Sequence, residues 1–336
     1  MHHRAVDIGS ITRRNVIRKL ALFGTGCLAA GAWRHFGGRA PATRFPPDGF
    51  HLLAFGDFGT GNEHQRTVAA RMAEFANALD APLAGVLALG DNFYRELTPE
   101  RFNSHFEAMY PMKDLPCPFY ALLGNHDYGP KYDSGQGVRK AQMQLDYARY
   151  NPTSRWKMPA KWYTLELPSP AQPLVKIICL DTNLFEGAIT PQEKLAQQRF
   201  LEMELRRQPR APWLWVAGHH PMFSNSHEGD NATMIRWLSA PLLKGNVSMY
   251  LCAHDHGLQH VEVPTYRASF VVSGGGGASL HRLNRADRGF AKRILGFNHL
   301  YVTSDKVEVQ YINGDGNCLH AFRRTRDGQI QIIDPA

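Results

Sequence analysis

The 336-residue chain is 43% hydrophobic and 20% charged, ordinary values for a folded protein long enough to bury a large core. Its formal charge is +8, but eight basic residues against one acid fall in residues 1–44, which leaves residues 45–336 at +1. A nearly neutral body excludes binding to nucleic acid through a net positive field.

The basic head reads as a targeting segment. Thr12-Arg13-Arg14-Asn15-Val16-Ile17-Arg18-Lys19 precedes an apolar run from Leu20 to Ala32, and Ala30-Gly31-Ala32 offers a small-residue cleavage site. About 13 apolar residues are too few to span a bilayer and suit a signal peptide. The paired arginines and mild hydrophobicity resemble a bacterial twin-arginine signal. Gly24 stands where a lipoprotein signal prefers leucine, which argues against lipidation of Cys27. The expected organisation is a signal peptide over 1–32, a linker over 33–50 and one domain over 51–336. Export through the twin-arginine machinery to the periplasm or the medium follows, with no stable membrane anchor after cleavage and a monomeric product. Cys117, Cys179, Cys252 and Cys318 remain, scattered, so neither a zinc knuckle nor a redox motif is indicated.

The first predicted strand, His51 to Gly56, ends at Asp57-Phe58-Gly59-Thr60-Gly61. Val68, Met72, Phe75 and Leu79 then share one face of a helix over 62–79. A second strand, Gly85 to Leu89, ends at Gly90-Asp91-Asn92-Phe93-Tyr94. Thr98-Pro99 opens a helix with a cap and a first-turn proline. A third strand, Phe119 to Leu123, ends at Gly124-Asn125-His126-Asp127. A loop region around a helix near 138–150 follows, then strands over 162–167 and 174–180. Thr190-Pro191-Gln192-Glu193 is a capping box that starts a helix reaching about residue 208. The strand Trp213 to Gly218 ends at His219-His220-Pro221. A helix near 231–243 leads to a strand over 247–252, which ends at Ala253-His254-Asp255-His256. Ser269 to Ser273 and Lys306 to Ile312 are expected in a second sheet, flanking Gly274 to Gly277 and a basic irregular stretch over 281–293.

Asp57, Asp91 and Asn125 follow one another at intervals of 34 residues, the length of a strand, a crossover helix and the return. Three parallel strands would bring them to one sheet edge, where open α/β sheets bind ligands. Five strands thus end in ligand-type residues: Asp57; Asp91 with Tyr94; Asn125 with His126; His219; and His254 with His256. Carboxylate, amide, phenolate and imidazole together suit iron, manganese or zinc. Seven ligands (Asp57, Asp91, Tyr94, Asn125, His219, His254 and His256) exceed what one catalytic ion with an open position needs. They match two ions about 3.5–4 Å apart that share a carboxylate. Asp91, central in the strand order, is the natural bridge.

These five motifs, in this order, resemble those of the calcineurin-like metallophosphoesterases, and the tyrosine of the second motif resembles the purple acid phosphatases of the tartrate-resistant type. The match spans about residues 51–280. The resemblance implies an α/β fold, a metallophosphoesterase-type sandwich of two mixed β-sheets flanked by helices. It implies Asp57, Asp91, Tyr94 and His256 on Fe(III), and Asp91, Asn125, His219 and His254 on a divalent ion (Fe, Zn or Mn). Ala253 departs from the family, which usually has glycine there; a slightly tighter turn is expected. Many non-purple relatives carry Asp-x-His in the first motif, whereas this chain has Gly59, and Tyr94 is expected to fill the vacancy.

The implied activity is that of an acid phosphatase on small phosphomonoesters, with metal-bound hydroxide attacking phosphorus in line. His126 would protonate the leaving alkoxide, and His227 (or His220 instead) resembles another active-site histidine. Asp127, Asp181 and Asp255 are expected as loop hydrogen-bonders. A phosphodiesterase or nucleotidase on the same scaffold is the alternative. A non-catalytic interaction module is a further one; degenerate relatives of that kind usually lose ligands, and none is missing here.

Overall fold

The computed structural model describes residues 49–128, 136–184, 188–207, 210–284 and 288–333. The expected signal peptide and all but the last two residues of the expected linker lie outside them. Strand β1 (Gly49–Phe55) takes up those two residues. Among the described residues, no helix is long and apolar enough to cross a membrane.

Two mixed sheets face each other. In the first, β1 pairs in parallel with β2 (Leu83–Ala88), which pairs in parallel with β3 (Phe119–Ala121) and, beyond it, β4 (Trp156–Lys157). The other side of β1 takes an antiparallel run of β12 (Gly296–Thr303), β13 (Lys306–Asn313), β14 (Cys318–Thr325) and β15 (Ile330–Ile333). The second sheet centres on parallel β6 (Val175–Cys179), β7 (Trp213–Ala217), β8 (Met249–Cys252) and β10 (Ser269–Ser273). Antiparallel β5 (Tyr163–Leu167) closes one side; β9 (Leu258–Val261) and β11 (Phe290–Lys292) close the other. Phe50, Leu52, Leu87 and Leu89 of the first sheet pack between the layers on Ile177, Trp215, Met249 and Leu251 of the second.

Helices cover the outer faces. α1 (Glu63–Ala78), a short α2 (Pro99–Phe102) continuing into a π-helical turn (Asn103–Glu107), and α3 (Gln136–Tyr150) pack Val68, Met72, Phe102, Phe106 and Ala141 against the first sheet. α4 (Pro191–Arg206) and α5 (Ala232–Lys244) place Leu201, Met234, Leu238 and Leu242 on the second. With both faces covered, the central strands are buried throughout, and their sequences read as apolar runs without alternation. The α4 capping box forms as its sequence requires: Glu193 N donates to Thr190 Oγ1, and Thr190 N to Glu193 Oε2.

The two strands expected to share a second sheet are divided between the sheets. Ser269–Ser273 lies beside β8 in the same sheet as β7, whereas Lys306–Asn313 belongs to the sheet of β1. The reason is β12, which pairs antiparallel with β1 from Asn298 to Thr303 and carries β13 with it. The stretch read as irregular contributes β11, an edge strand of the second sheet. An apolar run reveals a strand but not its partner.

Candidate metal centre

The carboxyl ends of β1, β2 and β3 meet those of β7 and β8 at one rim. Asp57, Asp91 and His254 each hold a left-handed backbone there, with φ of 59°, 54° and 66°. That conformation is costly for residues other than glycine, and such strain concentrates at functional sites. Gly59 N donates to Asp91 O at 3.1 Å and Tyr94 N to Gly59 O at 3.0 Å, so the two loops run backbone against backbone. A Cβ on Gly59 would stand 2.0 Å from the Asn92 carbonyl oxygen. This close approach of main chain to main chain carries Tyr94 over Asp57. Gly124 plays the same part for Asp91, since a Cβ there would lie 2.2 Å from Asp91 Oδ1.

The seven side chains form two adjoining groups. In one, Tyr94 Oη lies 3.3 Å from Asp57 Oδ1 and 3.1 Å from His256 Nε2, with His256 Nε2 3.5 Å from Asp57 Oδ1. In the other, Asn125 Oδ1 is 3.1 Å from His219 Nε2 and 3.0 Å from His254 Nδ1, and the two imidazoles are 3.3 Å apart. Asp91 touches both: its Oδ1 is 3.5 Å from His219 Nε2, and its carboxylate gathers with Asp57 and His256 within metal-ligating distance.

Hydrogen bonds orient the imidazoles. His219 Nδ1 lies 2.9 Å from Leu89 O and His256 Nδ1 2.6 Å from Ser279 O. A carbonyl can only accept, so both rings carry the proton on Nδ1 and turn the Nε2 lone pair inward, the usual arrangement of a metal-binding histidine. His220 is set the other way. The Thr182 hydroxyl accepts the backbone N–H groups of His219 and His220, so its own proton goes to His220 Nδ1, 2.8 Å away. The proton of the His220 ring then sits on Nε2, which withdraws that nitrogen as a ligand.

The electrostatics call for positive charge. Burial, then the neighbouring Asp57 and Asp127, pushes Asp91 well above the usual carboxylate range. Burial, Asp57 and Asp91 likewise drive the Tyr94 phenol well up. Burial works to raise Asp57, but His256, His219 and His254 together hold it below the usual range. Asp57 Oδ2 and Asp91 Oδ2 are buried and accept no hydrogen bond among the described residues. Uncompensated buried carboxylate oxygens are costly. Cations between the two groups would satisfy both oxygens, so the donor set fits a metal centre.

Over residues 50–258 the chain matches the family model of the calcineurin-like phosphoesterases. It belongs to that family. The phosphoesterase is 27% identical over 322 residues to human tartrate-resistant acid phosphatase type 5, covering 86% of this chain and 93% of that one. It is 28% identical over 302 residues to purple acid phosphatase 4 of Arabidopsis thaliana, covering 82% and 84%. Among solved structures it resembles purple acid phosphatase PPD1 from yellow lupin seeds, with a TM-score of 0.64 at 18% identity, covering 84% of this chain and 55% of that one. It also resembles GAP50, the anchor in the inner membrane complex of Plasmodium, with a TM-score of 0.65 at 17% identity, covering 82% and 88%. These structural likenesses bear on the fold, whose two mixed sheets flanked by helices are those of the family.

Around the ligand set, the phosphoesterase places its other histidines at distinct depths. The His126 side chain is 44% exposed and its ring centroid lies 4.4 Å from that of Tyr94; its backbone N–H donates to Asp91 Oδ1 at 2.8 Å. Burial, with His219 and Lys140 nearby, lowers His126 to about 4. His227 is 46% exposed at the rim, 3.5 Å from Glu228. His220 is buried, so it does not share their access to solvent.

Asp127 is fully buried and accepts from the backbone N–H groups of Asn92, Phe93 and Gly124 and from Gln144. The Lys140 ammonium donates to the carbonyls of Phe93 and His126. From α3, Lys140 and Gln144, together with Asp127, brace the Asp91 loop, a role that no motif announces. The turn containing Ala253 closes with the Asp255 N–H on Ala253 O at 2.7 Å, its methyl buried. Sequence reasoning missed His281, which stacks on His256 with centroids 4.0 Å apart. It sits alone in a stretch without periodicity, and only its position in space marks it.

Proposed function

We propose that this phosphoesterase is an acid phosphatase that hydrolyses small phosphomonoesters at a two-cation centre. Asp57, Asp91, Tyr94 and His256 would hold Fe(III), for which phenolate and carboxylate are suited donors; Asp91, Asn125, His219 and His254 would hold divalent iron, zinc or manganese. The observation that carries the reading is the place of Asp91, buried within reach of both groups of ligands with an oxygen to spare. Bound cations would supply a hydroxide nucleophile below neutrality and offset charge on the phosphoryl oxygens.

The chain's own residues do the rest. Asp127 and Lys140 hold the Asp91 loop, so Asp91 need not reorganise as charge develops. His126 stands half-exposed above Tyr94, tied to Asp91 by its own backbone, and would protonate the leaving alkoxide. Its imidazolium is disfavoured at rest, and an anionic phosphoester beside it is the charge that reverses this. His227 would exchange protons at the rim. The basic leader supports export by the twin-arginine route, with residues 1–32 removed on translocation to release the domain over 51–336.

Purified enzyme assayed on p-nitrophenyl phosphate and on its bis ester tests the substrate class. A strong preference for the monoester at acid pH is expected. Faster hydrolysis of the diester would replace this reading with a phosphodiesterase, and no hydrolysis of either by metal-loaded protein would remove the enzymatic one.

A further inference from the structure

Beside the centre, and outside its seven ligands, a second cluster of donors lines the rim: His227, Glu228 and His281 bring one ligand atom each within 4.8 Å of the others. Two loops are fastened together to make it. Ser226 and Leu283 form a β-bridge, and His227 N donates to Arg282 O at 2.9 Å. His281 N donates to His256 O at 3.0 Å. The His227 and His281 rings meet edge-on with centroids 4.9 Å apart, and His227 Nε2 is 3.5 Å from Glu228 Oε1.

Behind His281 lies Asp255. Its carboxylate is fully buried, neither oxygen accepts a hydrogen bond among the described residues, and one of them is 3.6 Å from His281 Nδ1. The charge of this buried carboxylate favours the proton on the nearby ring nitrogen of His281 without a hydrogen bond to it, the bias that a carboxylate behind a metal-binding histidine supplies. It leaves the opposite nitrogen of His281 for a cation. Two imidazoles and one carboxylate, with a fourth position open, form a donor set that zinc favours.

From these contacts we infer a third cation site, for Zn(II), formed by His227, Glu228 and His281 and backed by Asp255. Zinc there would clip the 226–229 loop to the 280–284 loop next to His256. On the proposed function it would also withdraw His227 from proton exchange and narrow the mouth, so zinc acts as a reversible inhibitor. The binding itself rests on the rim geometry and stands apart from the phosphatase reading.

The test is a titration of metal-loaded, full-length enzyme with buffered Zn(II), followed by calorimetry and by elemental analysis of zinc and of the resident ions. One additional zinc per chain is expected, taken up with no loss of resident metal. Glu228→Gln and His281→Gln should each weaken that step on the order of tenfold or more. Glu228→Gln should keep its zinc-free activity while losing sensitivity to zinc. No additional zinc at about 100 μM, uptake only by displacement of resident ions, or wild-type zinc affinity retained in both variants would overturn the site. Zinc binding that the variants abolish in a protein without phosphatase activity would keep the site and discard the inhibitory role.

Discussion

One hydrogen bond on the far side of the ring decides how His219, His256 and His220 face this rim. Leu89 O and Ser279 O set the Nε2 lone pairs of His219 and His256 inward, while Thr182 turns His220 the other way. Tyr94 reaches Asp57 and His256 because Gly59 lets its loop lie flat on the neighbouring one. If Tyr94 binds Fe(III), the oxidised enzyme absorbs in the visible through phenolate-to-iron charge transfer, and Tyr94→Phe removes the band. A colourless iron-loaded wild type would contradict the assignment. His126→Ala should slow alkyl phosphates by on the order of a hundredfold or more, in line with the usual worth of a positioned acid, yet barely affect esters with good leaving groups; equal losses would make His126 a positioning residue. The gathering of these seven donor side chains at one rim was legible because each follows a buried strand at a local signature. His281 and Lys140 were not, since their partners lie in other elements and nothing in the flanking residues points to them; Asp255 was expected as a loop hydrogen-bonder, yet neither of its carboxylate oxygens accepts a hydrogen bond among the described residues.

Among the elements, the loops carry the site and the helices keep the loops in place. Asp127 accepts three backbone N–H groups from the second and third strand-end loops, so Asp127→Ala leaves buried donors bare at about 1–3 kcal/mol each. A drop in melting temperature together with weaker metal retention is expected; unchanged stability would show that water replaces the carboxylate. A second test lies where β1 meets β12. His299 is buried between His51 and Gln310, with ring contact to Phe75. Burial, reinforced by His51 and opposed by Gln310 and Glu308, lowers His299 to about 4. The unfolded chain, with its histidine near 6.5, then binds the proton more readily, so this contribution is complete above about pH 6.5 and lost as pH falls towards 4, amounting to roughly 3 kcal/mol. His299→Gln should flatten the fall of melting temperature across that window, and an unaltered slope would clear His299 of the effect. Helix starts were readable from their caps at Thr98 and Thr190. Sheet membership was not, because pairing between strands far apart in the chain is settled by packing rather than by local composition.

Across the whole molecule, the centre exists only because two sheets end at the same place. β1, β2 and β3 supply carboxylates, amide and phenol, while β7 and β8 supply imidazoles. The layer of Leu52, Leu87, Trp215 and Leu251 between the sheets holds the two edges in register. Asp91 is the residue on which both halves depend, so metal content reports the arrangement more directly than turnover does. Elemental analysis of the purified enzyme and of Asp91→Asn should find two ions per chain in the wild type and loss from both halves in the variant. Less than one ion per chain in the wild type, or full retention of both ions without the Asp91 carboxylate, would contradict a centre shared through Asp91.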